Sequence, residues 1–369
     1  MQFPTKYSEI LSYLNNYSPE RYAASRNYID GRVSYLSPYI SRGVISTKMV
    51  YQLLISKGYE FSKIEKFIQE LAWRDYWQQI WIHKEDQIDQ DLKKTQPNVS
   101  HYQLPVAILD KSTGIDVINQ SIENLEQTGY MHNHMRMYIS MLICNIGQSH
   151  WKSPAQWMYY HLLDGDWASN ALSWQWVCGA NSNKKYFANQ ENINKYTHTM
   201  QKDTYLDVSY EDFEHQSIPQ ELSLTTEYQF TTDLPVVDPL VINQSLPTFI
   251  YNSYQLDPSW HSDKEGNRIL LLEPSHFKKY PVSKNVLDFI LDLSKNIEGI
   301  QCFVGEFDEL KTILGNNDVY YKEHPAFSHY EGIKEARDWI SSITGDYHSF
   351  FKFWKLVKKD LKKNLEITL

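Results

Sequence analysis

The chain has 369 residues, a length that predicts two domains or at most three. Apolar residues make up 42 % and charged residues 22 %, which excludes global disorder and fibrous classes. Three well-separated cysteines indicate neither a disulfide framework nor a metal site. The absence of a long apolar run and of a signal-peptide pattern leads us to expect a cytoplasmic protein with no membrane role.

From about residue 7 to residue 196 the pattern predicts helices only. Ser37-Pro38 predicts an N-cap and first helical position, Ser46-Thr47 predicts the start of the next helix, and Gly58 predicts its end. Apolar side chains at 3–4 spacing extend this interpretation further along the chain. The helices predicted on that basis cover residues 61–83, 114–127, 130–147, 153–163 and 167–178.

After this block the chain becomes acidic and the pattern changes. Residues 203–240 contain no Lys or Arg, and we interpret residues 203–265 as a solvated connector. Behind it, apolar runs alternate with helical patterns in a βαβ-like order. The predicted strands are 268–272, 300–304 and 319–322, and the predicted helices are 286–297, 330–340 and 350–363. The predicted fold is therefore mainly α, with an all-helical domain over residues 1–202 and a small α/β unit over residues 266–369.

Aromatic residues make up 14 % of the chain, which suggests that a flat ligand is bound. The net charge of −9 argues against strong non-specific binding to nucleic acid, although the first half is close to neutral and leaves room for a local basic groove. Ser34 and Ser37 precede a predicted helix start, where free N–H groups favour an anion such as a diphosphate. A plain N-cap explains the same two residues.

Two further segments combine charge with aromatic rings. One face of a predicted helix carries Glu70, Trp73, Arg74 and Trp77. A solvated salt-bridged face would not normally include two Trp, so a tryptophan core is the alternative to a functional site. Arg136 has possible carboxylate partners in the downstream stretch that begins at Asp164. His132 and His134 lack a third ligand at a suitable spacing, so no metal is predicted.

Taken together, these segments resemble the flavin-binding helical domain of the photolyase/cryptochrome family. The resemblance covers residues from about 20 to 200, and four motifs occur in the family's order. They are L-S-P-Y at 36–39 with G-x-x-S at 43–46, E-L-x-W-R-D at 70–75, M-H-N-x-x-R-M at 131–137, and L-L-D-G-D-x-A-S-N-x-x-x-W-Q-W at 162–176. Family members place an α/β antenna domain first, whereas here the α/β pattern comes last, and no antenna chromophore is inferred.

The resemblance implies FAD as the cofactor. Serine hydroxyls would hold the phosphates, an ion pair would lie beside the isoalloxazine ring, and an asparagine would face flavin N5. Val33 stands where the family usually has Thr. The residues that the resemblance assigns to FAD are Tyr22, Ser34, Leu36, Ser37, Arg74, Arg136, Asp164, Asp166 and Asn170.

The resemblance also implies light-driven reduction through a relay of tryptophans. Trp174 matches the indole nearest the flavin, and Trp151 matches the next. Residues 95–105 contain no Trp for the surface position, so Tyr102 or an exit through Trp157 are the alternatives.

For DNA repair, the resemblance implies contacts to a flipped pyrimidine dimer. Trp73 and Trp176 would stack on it, Glu70 and Asn133 would bond its bases, and Met137 would line the floor. His134 stands where repair enzymes usually carry Arg, and an imidazole holds a phosphate less firmly than a guanidinium.

Two functions follow from the resemblance. The first is a photolyase-like lyase that splits cyclobutane pyrimidine dimers in UV-damaged DNA by electron transfer from reduced FAD under blue light. The second is a cryptochrome-like photoreceptor or signalling flavoprotein without repair activity, which would act on a protein partner.

Overall fold

The computed structural model describes residues 3–368. About 47 % of the chain is helical, so α structure predominates. The α-helices, numbered α1 to α16 in chain order, are Tyr7–Asn16, Tyr22–Ser25, Ser37–Ser41, Thr47–Ser56, Phe61–Lys84, Val106–Leu109, Asp116–Thr128, Asn133–Met141, Lys152–His161, Trp167–Cys178, Gln190–Thr197, Gln220–Ser223, Pro274–Lys279, Lys284–Ser294, Phe307–Leu314 and Phe350–Thr368. None of the helices within residues 3–368 combines the length and the apolar character that a membrane crossing requires.

Seven β-strands are found in the described residues. In chain order, β1 to β7 are Leu104–Pro105, Thr225–Thr226, Thr248–Tyr251, Asn267–Leu272, Ile300–Val304, Val319–Lys322 and Ile333–Glu335. β1 and β2 form an antiparallel pair, and the other five form one sheet in the order β5-β4-β3-β6-β7. All neighbours in this sheet are parallel. Within this sheet the central strand β3 therefore comes first in the chain. β4 and β5 follow on one side of it, and β6 and β7 then follow on the other side.

The chain divides into two compact units. We call residues 1–20, 34–83 and 231–369 the sheet unit, and residues 21–33 and 84–230 the helical unit. The sheet unit thus includes helices α3 and α4 as well as the parallel sheet. These units differ from the predicted domains 1–202 and 266–369. Both units join segments that are far apart in the chain, and such contacts leave no local signal in the sequence.

The core of the sheet unit forms where β3 and β4 are covered by α15. All four residues of β3 are buried, as expected for a central parallel strand with both faces covered. Ile250 and Ile269 of the sheet pack in one cluster with Phe307 and Leu310 of α15. Burying such apolar side chains contributes roughly 1.5–3 kcal/mol each.

In the helical unit, α7 to α10 follow one another with short connections. Gly129 and Gly179 end α7 and α10 in the left-handed conformation that glycine adopts without strain. α8 continues directly into a π-helical turn over Leu142–Ile146, where every residue is buried. The side-chain amide of Asn145 in this turn donates to the carbonyl of Val177 at 3.1 Å, which ties the turn to α10.

Most of the locally signalled elements are confirmed. The Ser46 hydroxyl accepts the N–H of Met49 at 3.0 Å at the start of α4, and Gly58 has φ +80° just after its end. Helix α5 covers the predicted residues 61–83, and β5 and β6 have the predicted bounds.

Two predictions in the C-terminal part are wrong, and helix α15 has no counterpart among the predicted elements. β3 lies inside the predicted connector 203–265, and residues 330–340 contain the edge strand β7 instead of a helix. Gly332 shows why the last segment is extended, because at φ +134° a Cβ atom there would lie 2.4 Å from the carbonyl oxygen of Val319. Pairing with β6 therefore outweighs the helical propensity of the sequence.

Helix α5 carries one buried carboxylate, Asp75, into the sheet unit. The Thr47 hydroxyl lies 3.1 Å from both of its oxygens, and the backbone N–H of Ile340 donates to it at 2.8 Å. Burial raises the pKa of Asp75 from 3.8 to about 6, although Arg337 and these hydrogen bonds act in the opposite direction.

We predict that Asp75→Asn makes stability less dependent on pH. Between pH 3.8 and about 6 the folded protein keeps a proton that the unfolded chain releases, so the free energy of unfolding falls as the pH rises through this window. The full effect is roughly 3 kcal/mol. Thermal unfolding of wild type and Asp75→Asn across this pH window measures the pH dependence of stability.

Asp360→Asn is the control, because hydrogen bonds from Ser341 and Ser342 lower the pKa of Asp360 despite partial burial. An Asp75→Asn curve parallel to wild type would contradict the prediction.

Candidate functional site

An ion pair joins helix α8 to the turn before α10. The Nη2 atom of Arg136 lies 3.0 Å from both carboxylate oxygens of Asp164, and Nε donates to the carbonyl of Met131 at 2.9 Å. The Asp164 side chain is 6 % exposed and that of Arg136 is 22 % exposed. The predicted pair is therefore present, and its guanidinium is held from two sides.

The same turn starts the helix that carries two predicted residues. Asp166 is the N-cap of α10, where its side chain accepts the N–H of Ser169 at 3.0 Å. Asn170 and Trp174 follow one turn apart on this helix, and both are buried. The Asn170 amide donates to the carbonyl of Ala155 at 2.7 Å, which fixes the orientation of the side chain.

The two histidines before and within α8 have structural partners. Nδ1 of His132 accepts the N–H of His134 at 3.2 Å at the start of α8. Burial lowers the pKa of His132 to about 4, and the nearby positive charges of His134 and Arg136 act in the same direction. The His134 ring stacks on Tyr138 at 4.5 Å, and its Nδ1 lies 2.7 Å from the carbonyl oxygen of Asn27. His134 is thus packed into the helical unit.

Other predicted residues of the helical unit differ in exposure. Asn133 is exposed, Met137 and Tyr22 are half-buried, and the Trp176 ring is 42 % exposed. Trp174, Trp151 and Trp157 are buried. Neither Trp174 nor Trp157 has a hydrogen-bond partner for its indole N–H within residues 3–368.

The predicted phosphate-binding residues of the sheet unit lie in the short segment before α3 and at its first residue. The Ser34 hydroxyl accepts the N–H of Leu36 at 3.3 Å. The prediction that Ser37 is an N-cap is wrong, because Ser37 is the first helical residue of α3 and Leu36 precedes it without a side-chain cap. α3 has only five residues, so its dipole adds little to the binding of an anion.

The charged residues of α5 also have partners within the sheet unit. Nη1 of Arg74 donates to the Ser41 hydroxyl at 2.8 Å, at the end of α3. Glu70 forms an ion pair with Lys66 at 2.9 Å, one turn earlier on the same helix.

One face of the Trp73 ring is covered by the C-terminal helix. The rings of Trp73 and Phe350 are stacked at 3.6 Å with an angle of 10° between their planes. Phe350 begins α16 and is 2 % exposed, and Trp354 lies parallel to it one turn later at 6.3 Å. No feature of the local sequence around Trp73 indicates this contact, because Phe350 is remote in the chain.

Comparisons with known proteins agree with the sequence motifs. Residues 67–219 match the model of the FAD binding domain of DNA photolyase. A deoxyribodipyrimidine photo-lyase of Alkalihalophilus pseudofirmus is 29 % identical over 161 residues, which are 42 % of this chain and 33 % of that protein. One of Thermus thermophilus is 29 % identical over 163 residues, covering 43 % of this chain and 38 % of that protein.

The alignments therefore span little more than a third of these curated relatives. Among solved structures, a cryptochrome of Synechocystis sp. covers 53 % of this chain and 44 % of its own, with 21 % identity and a TM-score of 0.47.

We predict that Asp164 and Arg136 are coupled in stability. Asp164→Asn leaves a largely buried guanidinium without its counter-charge and should lower the free energy of unfolding by about 3 kcal/mol. Arg136→Met should cost a similar amount, and the double variant should cost clearly less than the two together. Denaturant unfolding of all four proteins measures the coupling. Strictly additive losses would show that the pair does not act as a unit.

We also predict that Phe350→Ala destabilises the sheet unit and uncovers Trp73. Removing a buried phenyl ring typically costs about 3–5 kcal/mol. Indole emission should become more accessible to acrylamide, and this gain should disappear when Trp73→Phe is added. Phe351→Ala is the matched control, because the neighbouring ring is 69 % exposed. Equal effects of the two phenylalanine variants would contradict the prediction.

Proposed function

We propose that this chain is an FAD-dependent flavoprotein of the photolyase/cryptochrome type that splits cyclobutane pyrimidine dimers in DNA under blue light. The bound flavin supplies light absorption and one-electron transfer. The family relatives that are named as photo-lyases support the lyase activity as a proposal for this chain.

The observation that carries the proposal is the Arg136–Asp164 pair together with the oriented amide of Asn170. A guanidinium fixed by a carboxylate at 3.0 Å and by the Met131 carbonyl is a stationary positive charge. Such a charge favours the electron-rich form of a neighbouring ring. The amide of Asn170 is held in one orientation by Ala155 and can bond a ring nitrogen in more than one redox state. These donors fit an isoalloxazine ring.

We assign Trp174 and Trp151 to the relay that passes electrons toward the flavin. Both indoles are buried, so their oxidised forms would be shielded from water. The indole N–H of Trp151 donates to a carboxylate oxygen of Asp91 at 2.7 Å, and this negative charge stabilises an oxidised indole.

The proposed lesion contacts follow the resemblance. Trp73 and Trp176 would stack on the dimer, Glu70 and Asn133 would bond its base edges, and Met137 would pack against it. One electron added to the dimer weakens the cyclobutane ring, whose two C–C bonds then break, and the electron returns. The reaction has no net redox change.

A second candidate is a cryptochrome-like photoreceptor that does not repair DNA. Two observations favour it. Phe350 covers one face of Trp73. In addition, Nδ1 of His134 is hydrogen-bonded to the Asn27 carbonyl, which leaves this ring poorly placed to act as a substitute for a phosphate-binding arginine. In this function a light-driven change of redox state would alter the acidic segment 203–240 or a protein partner.

Repair of dimer-containing DNA is the experiment that separates the two functions. The FAD-loaded protein is chemically reduced, mixed with an oligonucleotide that carries one cyclobutane dimer, and illuminated with blue light. We expect the dimer content to fall in light and to stay constant in darkness. An unchanged dimer content with flavin shown to be bound and reduced would refute repair. A difference in proteolysis of residues 203–240 between light and darkness would then support the second candidate.

We predict that Trp176→Ala weakens binding to dimer-containing DNA about tenfold, since one base-aromatic stack contributes roughly 1–3 kcal/mol. Tyr228→Ala is the control, because the Tyr228 ring is similarly exposed at 41 % and has no proposed role. Mobility shifts with irradiated and intact DNA measure the effect. Equal affinities of the two variants would show that Trp176 does not contact the lesion.

A further inference from the structure

An exposed tyrosine stacks on the histidine that precedes Trp151. The side chain of Tyr102 is 71 % exposed, and its ring lies 5.0 Å from that of His150, at 27° between planes. The His150 ring lies 5.6 Å from that of Trp151, at 36°. Trp151 itself is fully buried. Three consecutive rings therefore connect a buried indole with the solvent.

The backbone holds this stack in place. His101 and Ser149 form a parallel β-bridge on one side of it. The N–H of His150 donates to the carbonyl of His101 at 2.8 Å, and the Ser149 hydroxyl donates to the carbonyl of Gln103 at 2.7 Å. Tyr102 lies between His101 and Gln103, whose carbonyl groups accept these two hydrogen bonds. Its contact with His150 thus follows from paired backbone segments and not from the side chain alone.

Asp91 ties the two inner rings together. Its Oδ1 atom accepts the indole N–H of Trp151 at 2.7 Å and lies 3.3 Å from Nε2 of His150. The N–H of Lys152 donates to Nδ1 of His150 at 3.3 Å, so the proton of a neutral imidazole is on Nε2 and points to Asp91. Gln96 fixes the carboxylate through a backbone N–H that donates to Oδ2 at 2.8 Å. Burial lowers the pKa of His150 against the influence of Asp91, which favours the neutral ring.

We propose that Tyr102 is the surface electron donor of the relay, with His150 and Asp91 as positioning residues. This inference rests on the proposed flavin photochemistry. Trp151 is oxidised when one electron passes from it toward the flavin through Trp174. One electron then moves from the Tyr102 phenol across the His150 ring to the oxidised indole of Trp151. The phenolic proton goes to water, which leaves neutral Trp151 and a tyrosyl radical. A soluble thiol restores Tyr102 by giving it one hydrogen atom, and becomes a thiyl radical.

The alternative exit through Trp157 reaches the surface only through a longer series of rings. Trp157 is fully buried, and its indole N–H has no hydrogen-bond partner in the described part of the chain. Its aromatic neighbour His161 lies edge-on at 5.9 Å. Burial lowers the pKa of His161 to about 4, so this half-buried ring is neutral. From His161 the ring contacts continue through Tyr160 and Phe230 to the exposed Tyr228. This exit therefore takes four ring-to-ring steps from Trp157, one of them through a phenyl ring, whereas Tyr102 is two steps from Trp151.

The test is transient absorption and electron paramagnetic resonance of the FAD-loaded protein after a blue flash. The wild type should show a tryptophan radical that is replaced by a tyrosyl radical. Tyr102→Phe should lose the tyrosyl signal and keep the tryptophan signal, whereas Tyr102→Trp should end on an indole radical. Tyr210→Phe is the control, because it removes another exposed phenol of the helical unit. His150→Leu should reduce the tyrosyl yield while Tyr102 is still present.

A tyrosyl signal that survives in Tyr102→Phe would overturn the inference. A tryptophan radical of the wild type that decays without a tyrosyl radical being formed would overturn it as well. Repair in the preceding experiment starts from chemically reduced flavin and does not use the relay. Failure of the radical assignment and failure of the proposed repair are therefore distinguishable.

Discussion

The pairing of Asp164 with Arg136 is the interaction on which the residues proposed to face the flavin depend. A carboxylate that is 6 % exposed loses most of its hydration, and it stays ionised only if a cation compensates for that loss. The pair fixes the guanidinium on α8. It also fixes the turn that leads to Asp166 and the start of α10, the helix that carries Asn170 and Trp174. The positions of the positive charge, the amide and the inner indole are thus coupled through one contact.

Local signals in the sequence predict the helices well, because the responsible forces act within a few residues. Ser46 caps α4 through an N–H three residues away, and Gly58 ends the same helix through its own backbone conformation. Residues 330–340 show the limit of this approach. Their composition favours a helix, but pairing of Ile333 with Tyr320 in the edge strand determines the result. Sheet pairing joins residues that are distant in sequence, and no local pattern reports it.

The candidate site divides in the same way. The motifs predict Arg136 and Asp164 as partners, and the structure contains that ion pair. Phe350 and Asp91 were not predicted, although they contact Trp73 and Trp151 directly. Both lie far in sequence from the residues that they contact, and neither belongs to one of the four family motifs. The motifs therefore predict the ion pair, whereas they do not indicate the groups that contact Trp73 and Trp151.

Trp73 is subject to two demands that compete for one ring face. Its stack with Phe350 contributes about 0.5–1.5 kcal/mol beyond the area that it buries. A base stacked on the same face would contribute roughly 1–3 kcal/mol, so the net gain from exchanging one ring for the other is small. Docking of α16 on Trp73 and stacking of a lesion on that face therefore exclude each other. Which of the two rings covers Trp73 depends largely on how firmly α16 is held by its other apolar side chains. Phe353 and Val357 are also buried, so a displacement of Phe350 together with the helix would expose them as well. Under the proposed repair function, the affinity for a lesion would depend on the C-terminal helix as much as on the residues that would contact the DNA.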